Sequence, residues 1–371
     1  MQTAREEDPV HIPDGYLSPA TDGFFGAVML PIWYMATKRV KRIVKSRYVP
    51  LLAIGAAFCF LIMMFNVPIP DGTTAHAVGG VIVAILLGPW AAVIAVSIAL
   101  AIQALFFGDG GVLAFGANTF NMAFVLPMVG YAVYRFMSRN SSLTSARRAL
   151  AAGVGGYVGL NVAALCAATE FGLQPTLFHT ANGTPLYAPF HLAQTIPAMA
   201  LAHLTVAGAV EFAITAGIVA YLQRANIPIL QINHPDVPLT EAERVKAGTE
   251  RKMGWRWALL GLGVMVLLTP IGLLAPGGAF GEDSPQDLDL HKYGLQNIPI
   301  GLNKFADFWS HALLGGYGFN SGDHPVIGYL VSAVVGILVI GLVIFGIIGI
   351  YRLLLRRHGE PSEPVEEAAA G

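Results

Sequence analysis

The sequence predicts an all-α polytopic membrane protein of about nine transmembrane helices, a seven-helix core followed by a two-helix C-terminal unit. Three observations carry that prediction. Of 371 residues, 55% are hydrophobic and only 12% charged, about half the charge of an ordinary soluble domain. Apolar runs recur at the length that crosses a hydrocarbon core of about 30 Å, roughly 20 residues of helix. The basic residues gather in alternate loops. With the N-terminus outside and the C-terminus cytoplasmic, 19 of the 22 Lys and Arg fall on the cytoplasmic side, as the positive-inside rule requires. The same composition excludes a soluble enzyme and a disordered chain, and a net charge of −1 leaves no footprint for nucleic acid. Cys59 and Cys166 sit in separate apolar runs, so neither a disulfide framework nor a CxxC metal site is present.

Residues 1–10 (MQTAREEDPV) form a polar, acidic extension without the basic start and apolar centre of a signal peptide. The first span is Phe24–Val40 and the second Val49–Val67. The next apolar run, Ala75–Phe107, has 33 residues, about 50 Å as one helix and more than a span needs. Gly88-Pro89 interrupts it, and proline removes a helix donor. The run therefore predicts a short helix to Leu87 and a fuller one from Trp90. The charge bias agrees, because a single span here would carry Arg135, Arg139, Arg147 and Arg148 to the outside. Val112–Phe136, Ala149–Phe171 and Ala193–Leu222 complete the core, residues 11–224. A charged cytoplasmic linker, 225–254, leads to the second unit, 255–357, with spans Trp255–Leu274 and Val326–Leu355. The tail 358–371 is compositionally biased and predicted to be disordered. No internal repeat supports an inverted-repeat transporter.

Seven of the ten histidines fall outside in this topology: His11, His76, His179, His191, His291, His311 and His324. Loop histidines usually make ordinary hydrogen bonds, but neutral imidazole is also the commonest metal ligand. His11 in VHIPDGYLSP and His76 in PIPDGTTAHAVGG each lie near a Pro-Asp-Gly turn, which fixes a tight loop. Gln103 stands in QALFFGDGG, and Asn118 and Asn121 in GANTFNM. Amides in membrane helices bond between helices or stand behind a metal ligand and orient it, and the spacing leaves both open. His203 and Glu211 lie eight apart on the seventh helix. Ionisable groups within a membrane are functional candidates, and for this pair the choices are a partner contact, with Glu211 near the cytoplasmic half, or a structural role. The external loop of the second unit carries Glu282, Asp283, Asp287, Asp289, Asp307 and Asp323 against Lys292 and Lys304; the choices are a solvated loop, which is favoured, or an acidic surface that raises the local cation concentration.

Five of these stretches, HIPDGYLSP (11–19), GTTAHAVGG (72–80), ILLGPWAA (85–92), QALFFGDGG (103–111) and GANTFNM (116–122), resemble in order the CbiM/NikM family. Its members are the substrate-specific membrane components of energy-coupling-factor transporters for cobalt or nickel. Residues 255–355 resemble the small CbiN-type or NikN-type unit fused to that core, although GEDSPQDLDLHKYG departs from the Pro-Asp-Gly-Leu-Glu signature of many fused forms.

The resemblance implies a metal site on the outer face that uses few protein atoms: the N-terminal amine, the backbone nitrogen and ring of the second residue, and one ring from the GTSGH-type loop. Those positions map to Val10, His11 and His76. Four nitrogens in a plane suit Ni(II), and Co(II) can be held the same way. Ten residues precede His11, so either they are cleaved or translation starts at Val10, read from a GTG codon, and the second is the preferred expectation. The resemblance also implies a lipid-embedded location in the cytoplasmic (inner) membrane, a coupling membrane component and separate ATPase subunits as partners, the metal as transported substrate, and no organic cofactor. The chain has no G-x-x-x-x-G-K-[ST] phosphate loop and no H-E-x-x-H, so it is expected to be a transport component and not an enzyme. The rival readings are a standalone proton-coupled divalent-metal carrier and a sensory or structural membrane protein.

Overall fold

The computed structural model describes residues 11–40, 48–68, 74–241, 243–245, 254–274, 280–281, 284–319 and 323–357. The N-terminal extension, the tail, parts of the linker, the Pro-Asp-Gly turn at 70–72 and the acids Glu282 and Asp283 lie outside them. The described chain is mostly helical. Helix α1 (Pro19–Arg39) starts before its apolar run because Ser18 caps the Thr21 amide and Pro19 takes the first helical position, and it ends with Lys38 and Arg39 in its last turn. Helix α2 (Val49–Met63) stops short of the expected Val67. There the chain enters a two-stranded antiparallel ribbon, β1 (Val67–Pro68) with β2 (Thr74–Ala75).

The expected third span proves short. Helix α3 covers only Gly80–Leu87, about 12 Å, because the ribbon and the extended segment after it occupy the residues up to Gly79. The break foreseen at Gly88-Pro89 is present. Gly88 adopts φ 94°, ψ 153°, a conformation open to glycine alone in practice, and Pro89 opens α4 (Pro89–Ile102). A π-helical turn, Gln103–Phe107, extends α4. Helix α5 (Phe115–Asn118) runs through a second π-turn, Thr119–Val125, into α6 (Leu126–Met137). Helix α7 (Ala146–Leu177) is capped by Ser145. Helix α8 (Leu192–Ala202) continues through a third π-turn, His203–Ala207, into α9 (Gly208–Ala225). After the short α10 (Ile227–Gln231) come α11 (Gly254–Leu268), α12 (Ile300–Phe305) and α13 (Pro325–Arg357).

Among the described residues, four helical stretches are long and apolar enough to cross a membrane: Pro89–Phe107, Ala146–Leu177, Leu192–Ala225 and Pro325–Ile350. Val49–Met63 and Ala258–Leu274 are shorter apolar helices. The C-terminal unit does not stand apart from the core. Tyr317, Tyr329, Ala333 and Ile340 join α2, α3 and α4 in one buried apolar cluster. Gly336 of α13 meets the ring of Phe60 so closely that a Cβ there would lie 2.2 Å from it.

Candidate metal site

The loop that carries His11 is stitched to the segment between α4 and α5. Asn118 clamps Ile12 from both sides: its Oδ1 accepts from the Ile12 amide at 3.1 Å and its Nδ2 donates to the Ile12 carbonyl at 3.0 Å. The Gly111 amide donates to the same carbonyl at 2.9 Å. Two residues on, the Asp14 carboxylate accepts from the amides of Val112 (3.1 Å) and Leu113 (2.7 Å). Burial pushes the Asp14 carboxyl above its ordinary range, and its backbone hydrogen bonds to Leu113, Ala114 and Val112 pull it partly back. The two segments touch so tightly that a Cβ on Gly110 would sit 2.9 Å from the Cβ of His11. His11 is therefore delivered to a fixed place although it belongs to a loop.

His76 follows β2 directly. Its loop is held from α9, where Glu211 Oε2 accepts from the amides of Val78 (2.9 Å) and Gly79 (3.0 Å). Non-helical backbone at membrane depth must find its hydrogen bonds inside the protein, and a buried carboxylate supplies two here. Glu211 thus lies against the His76 loop.

These supports bring the two imidazoles together, with ring centroids 5.1 Å apart and planes inclined by 57°. Both residues are buried. His11 Nδ1 lies 2.8 Å from Asp109 Oδ1, and His76 Nδ1 lies 3.0 Å from the Ala77 carbonyl. A nitrogen facing an oxygen acceptor carries the ring proton in neutral imidazole, so the hydrogen bonds assign the lone pair to Nε2 in each ring. His11 Nε2 is buried without a hydrogen-bond partner among the described residues. Anchoring one ring nitrogen on oxygen so that the other is bare is the arrangement that metal-ligating histidines use. Beside the rings lies a cavity of about 80 Å³ whose lining includes Asn118, Asn121, Met199 and His203. His203 Nδ1 is held by the Met199 carbonyl at 2.8 Å.

The three amides divide. Asn118 holds the main chain next to His11. Gln103 Nε2 donates to Asp109 Oδ2 at 3.1 Å and so stands behind the His11 ring. Asn121 instead donates to Glu170 Oε2 of α7 at 2.8 Å, although it also borders the cavity. Val10 lies outside the described residues. Sequence reasoning assigned no role to Asp109, which stood in the quoted QALFFGDGG, and none to Tyr317, whose hydroxyl donates to Asp109 Oδ2 at 2.5 Å. A partner 208 residues away leaves no local signal. Among the described residues no three His, Cys, Asp or Glu side chains form a metal-holding group.

Residues 11–229 match the family model CbiM, described as the cobalt uptake substrate-specific transmembrane region. The chain is 46% identical over 362 residues to the fused nickel transport protein NikMN of Rhodobacter capsulatus, across 94% of this chain and all of that protein. It is 44% identical over 344 residues to the probable fused nickel transport protein LarMN of Lactiplantibacillus plantarum, across 91% of this chain and 97% of that one. Among solved structures, a truncated transition-metal transporter is 58% identical with a TM-score of 0.54, and covers 58% of this chain and 98% of its own.

Proposed function

The chain belongs to the CbiM family, with a fused NikN-like C-terminal unit, and from that membership we propose that it is the substrate-binding component of an ATP-driven importer of Co(II) or Ni(II). It captures the ion at the outer face of the cytoplasmic membrane, with the rings of His11 and His76 as ligands and with Val10 and main-chain nitrogen completing the donor set. The observation that carries this reading is the pair of buried imidazoles, 5.1 Å apart, each anchored through Nδ1 on oxygen. Two rings alone make an incomplete coordination sphere, so further nitrogen donors belong to the proposal. A coupling membrane component and ATPase subunits supply the work, since the chain has no phosphate-binding loop.

In this reading the chain crosses the bilayer about nine times, N-terminus outside and C-terminus cytoplasmic, as a core (11–224), a linker (225–254) and a second unit (255–357). A standalone proton-coupled carrier would have to draw on His203 and Glu211. Glu211 is already bonded to two amides and His203 to a carbonyl, which favours structural roles for both. The test is metal titration of the purified protein. His76→Ala removes one of few ligands and is expected to abolish tight binding of both ions while the protein still folds into the membrane. Unchanged affinity in that variant would refute the assignment.

A further inference from the structure

The carboxylate behind His11 has two oxygens, and the C-terminal unit serves the second. Asp109 Oδ1 faces His11 Nδ1. Asp109 Oδ2 accepts from the hydroxyl of Tyr317, which itself accepts from Gln103 Nε2 at 2.7 Å. All four side chains are buried. Tyr317 belongs to the turn just before α13, 208 residues beyond Asp109, and it is pinned there from several sides. Its ring stacks on Phe107 at 5.1 Å and 23° and packs against Phe60 and Tyr329. Its carbonyl accepts from Ser332 Oγ of α13 at 2.9 Å. Its backbone has φ 59°, a left-handed conformation that a tyrosine keeps only when its surroundings impose it.

A buried carboxylate with one oxygen unserved would turn towards whatever donor it could find, since an unpaired acceptor there is costly. The tyrosine and glutamine remove that freedom and leave Oδ1 fixed on the imidazole. We propose that Tyr317 is a positioning residue of the metal site: by holding Asp109 against His11 it makes ion affinity depend on the docking of the C-terminal unit through α13. The inference rests on the reading of His11 as a ligand. It places the fused unit at the site itself, as a support for a ligand contributed by the core.

The test uses the full chain, purified and titrated with Ni(II) and Co(II). Tyr317→Phe keeps the ring stack and removes only the hydroxyl. It is expected to bind about 10-fold to 100-fold more weakly and to shift the ligand-field absorption of the bound ion, a change that a packing defect remote from the ion would not cause. In an Asp109→Asn background the same substitution should cost little more, because the path runs through that carboxylate. Should Tyr317→Phe fail to fold, Ser332→Ala, which unties Tyr317 from α13, is expected to give a smaller loss with the same spectral shift. Wild-type affinity and spectrum in the variant that folds, or losses that multiply in the double variant, would overturn the inference. If the unaltered chain bound neither ion, the functional reading itself would fall, a result plainly different from normal binding that ignores Tyr317.

Discussion

Replacing Glu211 probes how the His76 loop is held. In Glu211→Ala the amides of Val78 and Gly79 lose their shared acceptor, which now lies at 2.9 and 3.0 Å. Each buried, unpaired amide costs about 1–3 kcal/mol, so the two together cost about 2–6 kcal/mol. Were only the lower figure drawn from the bound arrangement of His76, ion affinity would fall roughly 30-fold, at about 1.4 kcal/mol per tenfold. Glu211→Gln keeps an oxygen acceptor of the same reach and should retain at least half of that energy, because bonds to a neutral oxygen are roughly half as strong as those to a charged one. The assays are thermal unfolding in detergent and Ni(II) titration on the same preparations. The expected order in both is wild type, then Gln, then Ala. Equal damage from Gln and Ala, or a stable and tight-binding Ala variant, would refute the claim that the carboxylate acts as acceptor for this loop.

Asn118→Leu removes both bonds to Ile12 and is expected to weaken binding about 10-fold to 100-fold, whereas Asn121→Ala, whose partner is Glu170, should affect thermal stability more than affinity; titration and melting of the two variants separate these outcomes. His234 lies in the linker, buried, with Nδ1 on the Leu230 carbonyl, and burial lowers its pKa from 6.5 to about 4. The unfolded chain takes up this proton near pH 6.5 and the folded chain only near 4, so the contribution, on the order of 3 kcal/mol, is complete above pH 6.5 and disappears as pH falls through 4. Melting curves of wild type and His234→Gln at pH 7.5 and 5 should show the wild type losing more, by about 2 kcal/mol. Cells expressing this chain should accumulate labelled nickel or cobalt strongly only with the coupling and ATPase subunits present; vigorous uptake by the chain alone, collapsed by a protonophore, would support the carrier reading instead.

What the sequence discloses about this fold follows the range of the forces involved. The break at Gly88-Pro89 was legible because both residues act on their own backbone, and the surplus length of the apolar run required a break somewhere. The start of α1 was misplaced by five residues because apolarity was followed and the Ser18-Pro19 cap was not. The shortness of α3 was hidden, since Thr74 to Gly79 is small and apolar enough to pass as helix, and only pairing with Val67 and Pro68 draws it out into a strand. The two histidines were singled out by their turns, but their union came from resemblance; a separation of 65 residues by itself says nothing. Asp109 and Tyr317 show the limit: each looks ordinary in its own segment, and their bond exists only because α13 lies against α2.

The π-turns at Gln103–Phe107, Thr119–Val125 and His203–Ala207 each contain or adjoin a residue of the cavity or its supports. Such a turn is a helix that has absorbed one extra residue without breaking. Everything beyond the insertion is rotated by about 100° relative to an uninterrupted helix, while the axis and the ends stay nearly where they were. Shortening any of these segments by one residue would restore a smoother, more regular rod and swing its polar side chains off the cavity. The irregularity is thus how three helical segments can turn an amide or an imidazole inward without giving up their place in the bundle.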